Sequence, residues 1–141
     1  MKVFLDTSVL VPVFLGYHVH HKASLEIYER LQPKQACCGA HSMAEVYSTL
    51  TRMPPPHRLR SEQAMLFLAD IRSRLTLFAL DAEEYFQAIE EFAAMGVTGG
   101  AIYDGLLTRC ALKARAESIY TWNVRHYRKF GPEVEKKLKT P

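Results

Sequence analysis

Short runs of apolar residues recur along the chain, separated by longer stretches in which apolar and polar residues follow helical periodicity. The runs at 2–5, 35–40, 75–80 and 118–122 predict buried strands, and the run at 134–138 has the pattern of an edge strand. Because the first four runs are nearly continuous rather than alternating, the pattern favours strands that are covered on both faces.

The stretches between these strands carry start and stop signals of helices. Asp81 is a favoured N-cap before one of them and Gly96 closes it, while the prolines at 54–56 end another. Pro12 falls near the start of the first helix, where proline is tolerated. We predict helices at 9–15, 23–31, 43–52, 61–74, 82–95 and 101–114, with a short helix or loop at 123–129.

The alternation of strands and helices predicts an α/β fold with a central parallel sheet of four to five strands, covered by helices on both faces. The chain has 141 residues, so we expect a single domain over 1–141. In such sheets, ligands bind beyond the carboxyl ends of the strands. Polar residues at those ends are therefore the first candidates for a functional site.

Composition indicates the cellular compartment and the kinds of partner to expect. Hydrophobic residues make up 48% of the chain, and the odd count of 3 cysteines argues against a disulfide framework. The apolar N-terminal segment contains Asp6 and has no signal-peptide cleavage site, and no stretch is long enough to span a bilayer. We therefore expect a cytoplasmic protein without a membrane partner. The net charge of +3 permits a nucleic-acid partner without requiring one.

Four oxygen-bearing side chains, far apart in the sequence, fall near the same predicted edge of the sheet. Asp6 directly follows the first strand, and Asn123 directly follows the fourth. Glu45 and Asp104 are each predicted to lie in the first turn of a helix. One face of the fold could therefore hold all four.

Each of these residues also has a purely structural explanation. Asp6 and Asn123 are favoured helix N-caps. Ser42 and Glu45 match a capping box, in which the glutamate accepts a hydrogen bond from the backbone of the cap residue. Asp104 would be favoured at a helix N-terminus by the macrodipole. Taken together, the four are harder to explain as unrelated caps.

Convergence of Asp6, Glu45 and Asp104 would create a repulsion that a proton or a divalent cation must relieve. Oxygen ligands without histidine or cysteine favour Mg²⁺ or Mn²⁺ over Zn²⁺. Magnesium combines readily with a few carboxylates, water molecules and a substrate phosphate. The acidic set therefore indicates a site for Mg²⁺ or Mn²⁺.

Four motifs of the chain resemble those of the PIN-domain family. They are VFLDTSVL at 3–10, AEVY at 44–47, YDGLL at 103–107 and TWNVRHY at 121–127. The motifs occur in order and cover almost the whole chain, whose length also resembles that of VapC-like toxins. The resemblance implies the PIN-like three-layer α/β/α fold.

The resemblance also implies a metal-dependent endoribonuclease that cuts single-stranded RNA, forms a homodimer and is inhibited by a small cognate antitoxin protein. We expect its nucleic-acid partner to be single-stranded or structured RNA. Its motifs imply a catalytic set of Asp6, Glu45, Asp104 and Asn123. The metal ion would be held by Asp6, Asp104 and Glu45. Many family members carry aspartate where this chain has Asn123. Since asparagine removes one negative charge, we expect one tightly held metal ion rather than two.

The corresponding reaction is hydrolysis of an RNA phosphodiester bond. A bound Mg²⁺ or Mn²⁺ would lower the pKa of a water molecule, and Glu45 or Asp6 would orient or deprotonate that water. Ser8 and Thr121 are expected to hold the carboxylates through hydrogen bonds.

Basic and aromatic residues supply candidates for RNA contacts. Arg125 is the expected contact to substrate phosphate, and the arginines beside the proline run, Arg52 among them, could line an RNA groove. Tyr120, Trp122 and Tyr127 could stack on bases or pack in the core.

Other protein classes also place an acid after the first strand. A haloacid-dehalogenase-like phosphatase needs a second aspartate two residues after Asp6, where this chain has Ser8. A receiver domain would have adjacent acidic residues near its start and a late lysine at a strand end, and the sequence has neither. The remaining alternative is a PIN-like module that binds RNA or protein without catalysis, or that processes RNA. Asn123 keeps this alternative open.

Overall fold

A single sheet of five parallel strands organises the computed structural model, which describes residues 1–141. The strands are β1 (Val3–Leu5), β2 (Ala36–Gly39), β3 (Thr76–Phe78), β4 (Ser118–Tyr120) and β5 (Leu138–Lys139). Their order across the sheet is β3-β2-β1-β4-β5, which places β1 in the centre. Every pairing is parallel, so the carboxyl ends of all five strands lie at one edge. The predicted α/β fold is confirmed.

Helices connect the strands and cover both faces of the sheet. They are α1 (Thr7–Val13), α2 (His21–Arg30), α3 (Ala40–Arg52), α4 (Ser61–Arg74), α5 (Ala82–Ala94), α6 (Ala101–Lys113), α7 (Val124–Tyr127) and α8 (Pro132–Glu135). A short 3₁₀ helix at Arg128–Phe130 separates the last two. No helix has both the length and the apolar character needed to cross a membrane.

The sheet separates two apolar clusters, because successive side chains of a strand point to opposite faces. Phe4 of β1 packs with one cluster, which includes Phe92 of α5 and Leu107 of α6. Leu5 packs with the other cluster, which includes Val46 of α3 and further residues of α1, α2 and α4. The sheet and the helices packed on its two faces form three layers. This packing holds α1, α3 and α6 around the carboxyl end of β1.

Three predicted helix starts were too late. Helix α2 begins at His21 rather than at 23. The other two errors concern the site. Helix α1 begins at Thr7 rather than at 9, because Asp6 is its N-cap. Helix α3 begins at Ala40 rather than at 43, immediately after β2. Glu45 therefore lies in the second turn of α3 instead of the first. Ser42 lies inside that helix, so the predicted capping box with Glu45 does not form.

The predicted edge strand at 134–138 was also wrong in its position. Residues Pro132–Glu135 form α8, with the proline at the start of the helix. Proline is favoured there because its fixed φ suits a helix and its missing N–H has no helical partner. The edge strand itself is confined to Leu138–Lys139, where it pairs in parallel with β4.

Gly105 lets α6 approach α5 closely, immediately after Asp104. A Cβ atom at position 105 would lie 2.8 Å from Cε2 of Phe92, a ring that is fully buried. We expect Gly105→Ala to lower the free energy of unfolding, measured by urea denaturation, by about 1–3 kcal/mol. The matched control is Gly16→Ala, since a Cβ there meets nothing within 4 Å. Equal losses in the two variants would contradict this packing argument.

Candidate active site

Asp6 lies at the carboxyl end of the central strand and is only 2% exposed. Its Oδ2 accepts hydrogen bonds from the Ser8 hydroxyl at 2.7 Å and from the Thr121 hydroxyl at 2.9 Å. The same oxygen caps α1 through the Ser8 backbone N–H at 3.3 Å. Its Oδ1 accepts a hydrogen bond from the Tyr127 hydroxyl. Side chains from three separate segments therefore fix the orientation of this carboxylate.

Ser8 and Thr121 also connect the carboxylate to the backbone that follows β4. The Ser8 hydroxyl accepts the backbone N–H of Trp122 at 3.0 Å, and the Thr121 hydroxyl accepts that of Asn123 at 3.0 Å. Each hydroxyl thus accepts a backbone N–H and donates its own proton to Oδ2 of Asp6. Both residues thus lie where hydrogen bonds to a carboxylate were expected.

Asp104 lies in the first turn of α6, as the sequence indicated. Its Oδ1 is 3.5 Å from the Tyr127 hydroxyl, which therefore stands between the carboxylates of Asp104 and Asp6. Burial, followed by the negative charges of Asp6 and Glu45, raises the pKa of Asp104 from 3.8 to about 6.

Glu45 approaches the same place from α3. The Thr7 hydroxyl donates a hydrogen bond to its Oε1 at 3.0 Å and also lies 2.8 Å from the Ser42 hydroxyl. Burial raises the pKa of Glu45, the charge of Asp6 raises it further, and the Thr7 hydrogen bond and nearby His41 act in the opposite direction. The structure therefore places Glu45 near enough for its charge to act on Asp104, although it is not grouped with Asp6 and Asp104 closely enough for the three to hold an ion together. Glu45 also comes from a different turn of its helix than expected.

Asn123 and Arg125 lie on the segment that closes the site. Asn123 is the N-cap residue of α7, but its side chain makes no capping hydrogen bond and is exposed. Arg125 is exposed as well. The positive groups that lower the pKa of Asp104 are His126 and Lys129, which lie on the same segment. A phosphate contact by Arg125 stays a prediction.

The contact of Tyr127 with the carboxylates of the site was not predicted from the sequence. The sequence left open whether it stacks on bases or packs in the core, and the structure buries it completely. Burial and the charges of Asp6 and Asp104 raise the pKa of its hydroxyl well above the usual value, so it keeps its proton and acts as a donor. The only signal in the sequence was a tyrosine rather than a phenylalanine at a buried position.

Trp122 is likewise engaged within the fold. Its ring stacks on His20, with centroids 3.7 Å apart and planes inclined by 9°. Its Nε1 donates a hydrogen bond to the Ser24 hydroxyl at 2.9 Å. Trp122 therefore ties α2 to the end of β4, with one face of its ring covered by His20. Tyr127 is buried and offers no free ring face for base stacking.

The donor set at the sheet edge fits a hard divalent cation. No three His, Cys, Asp or Glu side chains are grouped closely enough to hold an ion by themselves. Asp6 and Asp104, which share contacts with one tyrosine hydroxyl, supply two carboxylates. Mg²⁺ typically uses one or two carboxylates and fills its other positions with water and phosphate oxygens. The chemistry of these donors therefore agrees with Mg²⁺ or Mn²⁺.

The raised pKa of Asp104 makes the stability of the metal-free protein depend on pH. Because the folded state binds this proton more tightly than the unfolded chain does, stability falls as the pH rises from 3.8 towards about 6. In EDTA, we expect this fall to be smaller in Asp104→Asn by on the order of 1–2 kcal/mol, allowing for solvent screening. Urea denaturation across this pH range measures it. Parallel stability curves for the two proteins would argue against crowding of the carboxylates.

Residues 3–130 match the model of the PIN domain family. Together with the parallel sheet and the acidic site at its edge, this match shows that the chain belongs to the PIN domain family. Its relatives include ribonuclease VapC40 from Mycobacterium tuberculosis, with 40% identity over 133 residues, covering 92% of this chain and 95% of the relative. Ribonuclease VapC27 from the same species is 34% identical over 113 residues, covering 80% of this chain and 79% of the relative.

Solved structures agree on the fold. VapC20 from Mycobacterium tuberculosis, a toxin that cleaves the sarcin-ricin loop, aligns with a TM-score of 0.70 and 16% identity over 89% of this chain and 92% of its own. VapBC2 from Rickettsia felis, crystallised with a DNA fragment of its promoter, aligns with a TM-score of 0.65 and 20% identity over 99% and 98% of the two chains. The predicted PIN-like three-layer fold is confirmed.

Proposed function

We propose that this chain is a metal-dependent endoribonuclease of the VapC type and the toxin of a toxin–antitoxin pair. The observation that carries the proposal is the placement of Asp6 and Asp104 at the carboxyl edge of the sheet, where one tyrosine hydroxyl contacts both carboxylates. Glu45 lies near enough for its charge to act on Asp104. Relatives that span nearly the whole chain are named ribonucleases, which supports RNA as the substrate.

The residues that would hold Mg²⁺ or Mn²⁺ are Asp6 and Asp104, with Glu45 and Asn123 contributing directly or through water. When bound, such an ion supplies a water molecule of lowered pKa and neutralises charge that develops on the phosphate. Asn123 contributes a neutral carbonyl oxygen, which is why we favour one ion over two.

The protein's own groups divide the remaining tasks. Thr7 occupies Oε1 of Glu45, which leaves Oε2 to orient the attacking water and to accept its proton. The raised pKa of Glu45 suits a general base, because a carboxylate of higher pKa holds the proton more firmly. Tyr127 keeps its own proton and holds Asp6 in a fixed orientation beside Asp104.

We propose five further properties on the same basis. The chain works in the cytoplasm as a single domain over 1–141, without a membrane partner; it forms a homodimer; and a small cognate antitoxin protein inhibits it. Two of the similar solved structures, from Rickettsia felis and Haemophilus influenzae, are of VapBC assemblies, which supports a protein partner of this kind.

Incubation of the purified chain with single-stranded RNA tests the enzymatic proposal. We expect cleavage in Mn²⁺ or Mg²⁺ and none in EDTA, and we expect growth arrest when the chain is expressed alone. RNA or protein binding without cleavage under every metal condition would support the non-catalytic PIN-like module instead. Cleavage that matures an RNA without arresting growth would support an RNA-processing role.

A further inference from the structure

A groove includes Glu45 in its lining and extends from there along one face of α3. It has a volume of about 360 Å³, and its lining includes His41, Glu45, Ser48, Arg52 and Tyr103. The four residues from α3 are spaced by three or four positions, which puts them on the same side of the helix. The tyrosine comes from α6.

His41 and Tyr103 form an aromatic surface at the active-site end of this groove. Their rings are nearly parallel, with centroids 5.5 Å apart and an interplanar angle of 11°. Tyr103 is 51% exposed, and the His41 side chain is 39% exposed. Tyr103 directly precedes Asp104, and His41 Nε2 lies 4.0 Å from Oε1 of Glu45. The exposed rings therefore adjoin two of the three acids.

Arg52 provides a positive charge at the other end of the groove. It lies in the last turn of α3, is exposed, and takes part in none of the four ion pairs of the structure. The rise of an α-helix places it about 10 Å along the axis from Glu45. That separation suits a phosphate other than the one at the carboxylates. The exposed hydroxyl of Ser48 lies between the two ends.

We propose that this groove binds single-stranded RNA by stacking an unpaired base on the His41–Tyr103 surface while Arg52 contacts the phosphate of another nucleotide. The inference rests on the proposed ribonuclease function and extends it to how the substrate is recognised. Aromatic stacking needs an unstacked base, and the bases of an RNA duplex are already stacked and paired. The groove therefore selects loops, bulges or single strands, with little dependence on which base is present.

Fluorescence anisotropy in EDTA tests the stacking contact without cleavage. The probes are a short fluorescein-labelled RNA of randomised sequence and the same ribose–phosphate chain without bases. We expect the full-length protein to prefer the base-bearing RNA by about tenfold or more. Tyr103→Leu should remove most of this preference, and Tyr103→Phe should retain it. The matched control is Phe86→Leu, because Phe86 on α5 is 64% exposed and lies outside the groove.

The inference is overturned if Tyr103→Leu binds base-bearing RNA as tightly as the unchanged protein does, or if Phe86→Leu causes an equal loss. Absence of any preference for base-bearing RNA in the unchanged protein would overturn it as well. Cleavage in Mn²⁺, measured on the same samples, tests the proposed function separately. Cleavage without base-dependent binding would refute the stacking surface alone, and base-dependent binding without cleavage would refute the nuclease alone.

Discussion

Asp104→Asn is expected to slow metal-dependent RNA cleavage at least about a hundredfold while leaving the fold intact. The substitution keeps the shape of the side chain and removes the negative charge that would face the metal ion. Asp104 makes a single long hydrogen-bond contact, to Tyr127 at 3.5 Å, so little of the fold depends on its charge. Initial cleavage rates of a labelled RNA in Mn²⁺, with circular dichroism of each protein, provide the measurement.

A matched control removes one carboxylate charge away from the site. Glu90 on α5 is exposed and belongs to none of the ion pairs, so Glu90→Gln should cleave RNA at the rate of the unchanged protein. In cells, Asp104→Asn should also abolish growth arrest on expression. Retention of full cleavage by the folded Asp104→Asn protein would remove this residue from the catalytic set.

The fold could be predicted from the sequence because its central strands β1, β2 and β4 are largely buried. Such strands appear as short apolar runs, and their alternation with helices leaves few possible topologies. Helix starts were less predictable, since a chain that leaves a strand directly into a helix shows no separate boundary. Ala40 begins α3 immediately after β2. The capping-box pattern at Ser42 and Glu45 was therefore misleading.

The acids of the site could be predicted because their positions follow from the sheet. Asp6 ends a buried strand, and a parallel sheet collects such residues at one edge. Tyr127 and the His41–Tyr103 surface could not be predicted in this way. Their roles depend on how α3, α6 and α7 pack side by side, and helical periodicity alone does not determine that packing.

Asp6 carries a negative charge like Asp104, but the structure gives it a second role. Three hydroxyl groups donate to its buried carboxylate, and it also caps α1. We therefore expect Asp6→Ala to abolish RNA cleavage and, unlike Asp104→Asn, to lower the free energy of unfolding by about 2–4 kcal/mol. Part of the lost hydrogen bonding is recoverable, because the Ser8 and Thr121 hydroxyls lie 3.2 Å apart.

Urea denaturation in EDTA separates the two roles of Asp6. Asp6→Asn keeps one acceptor oxygen and the size of the side chain, so it should be more stable than Asp6→Ala while remaining as inactive. Removal of the Asp6 charge also relieves its repulsion of Asp104. This relief raises the free energy of unfolding, whereas the loss of hydrogen bonds lowers it. We expect the hydrogen bonds to be the larger contribution, because Asp6 is almost fully buried and each of its oxygens has a donor. An Asp6→Ala protein more stable than the unchanged chain would mean that repulsion between the acids exceeds the stabilisation by those donors.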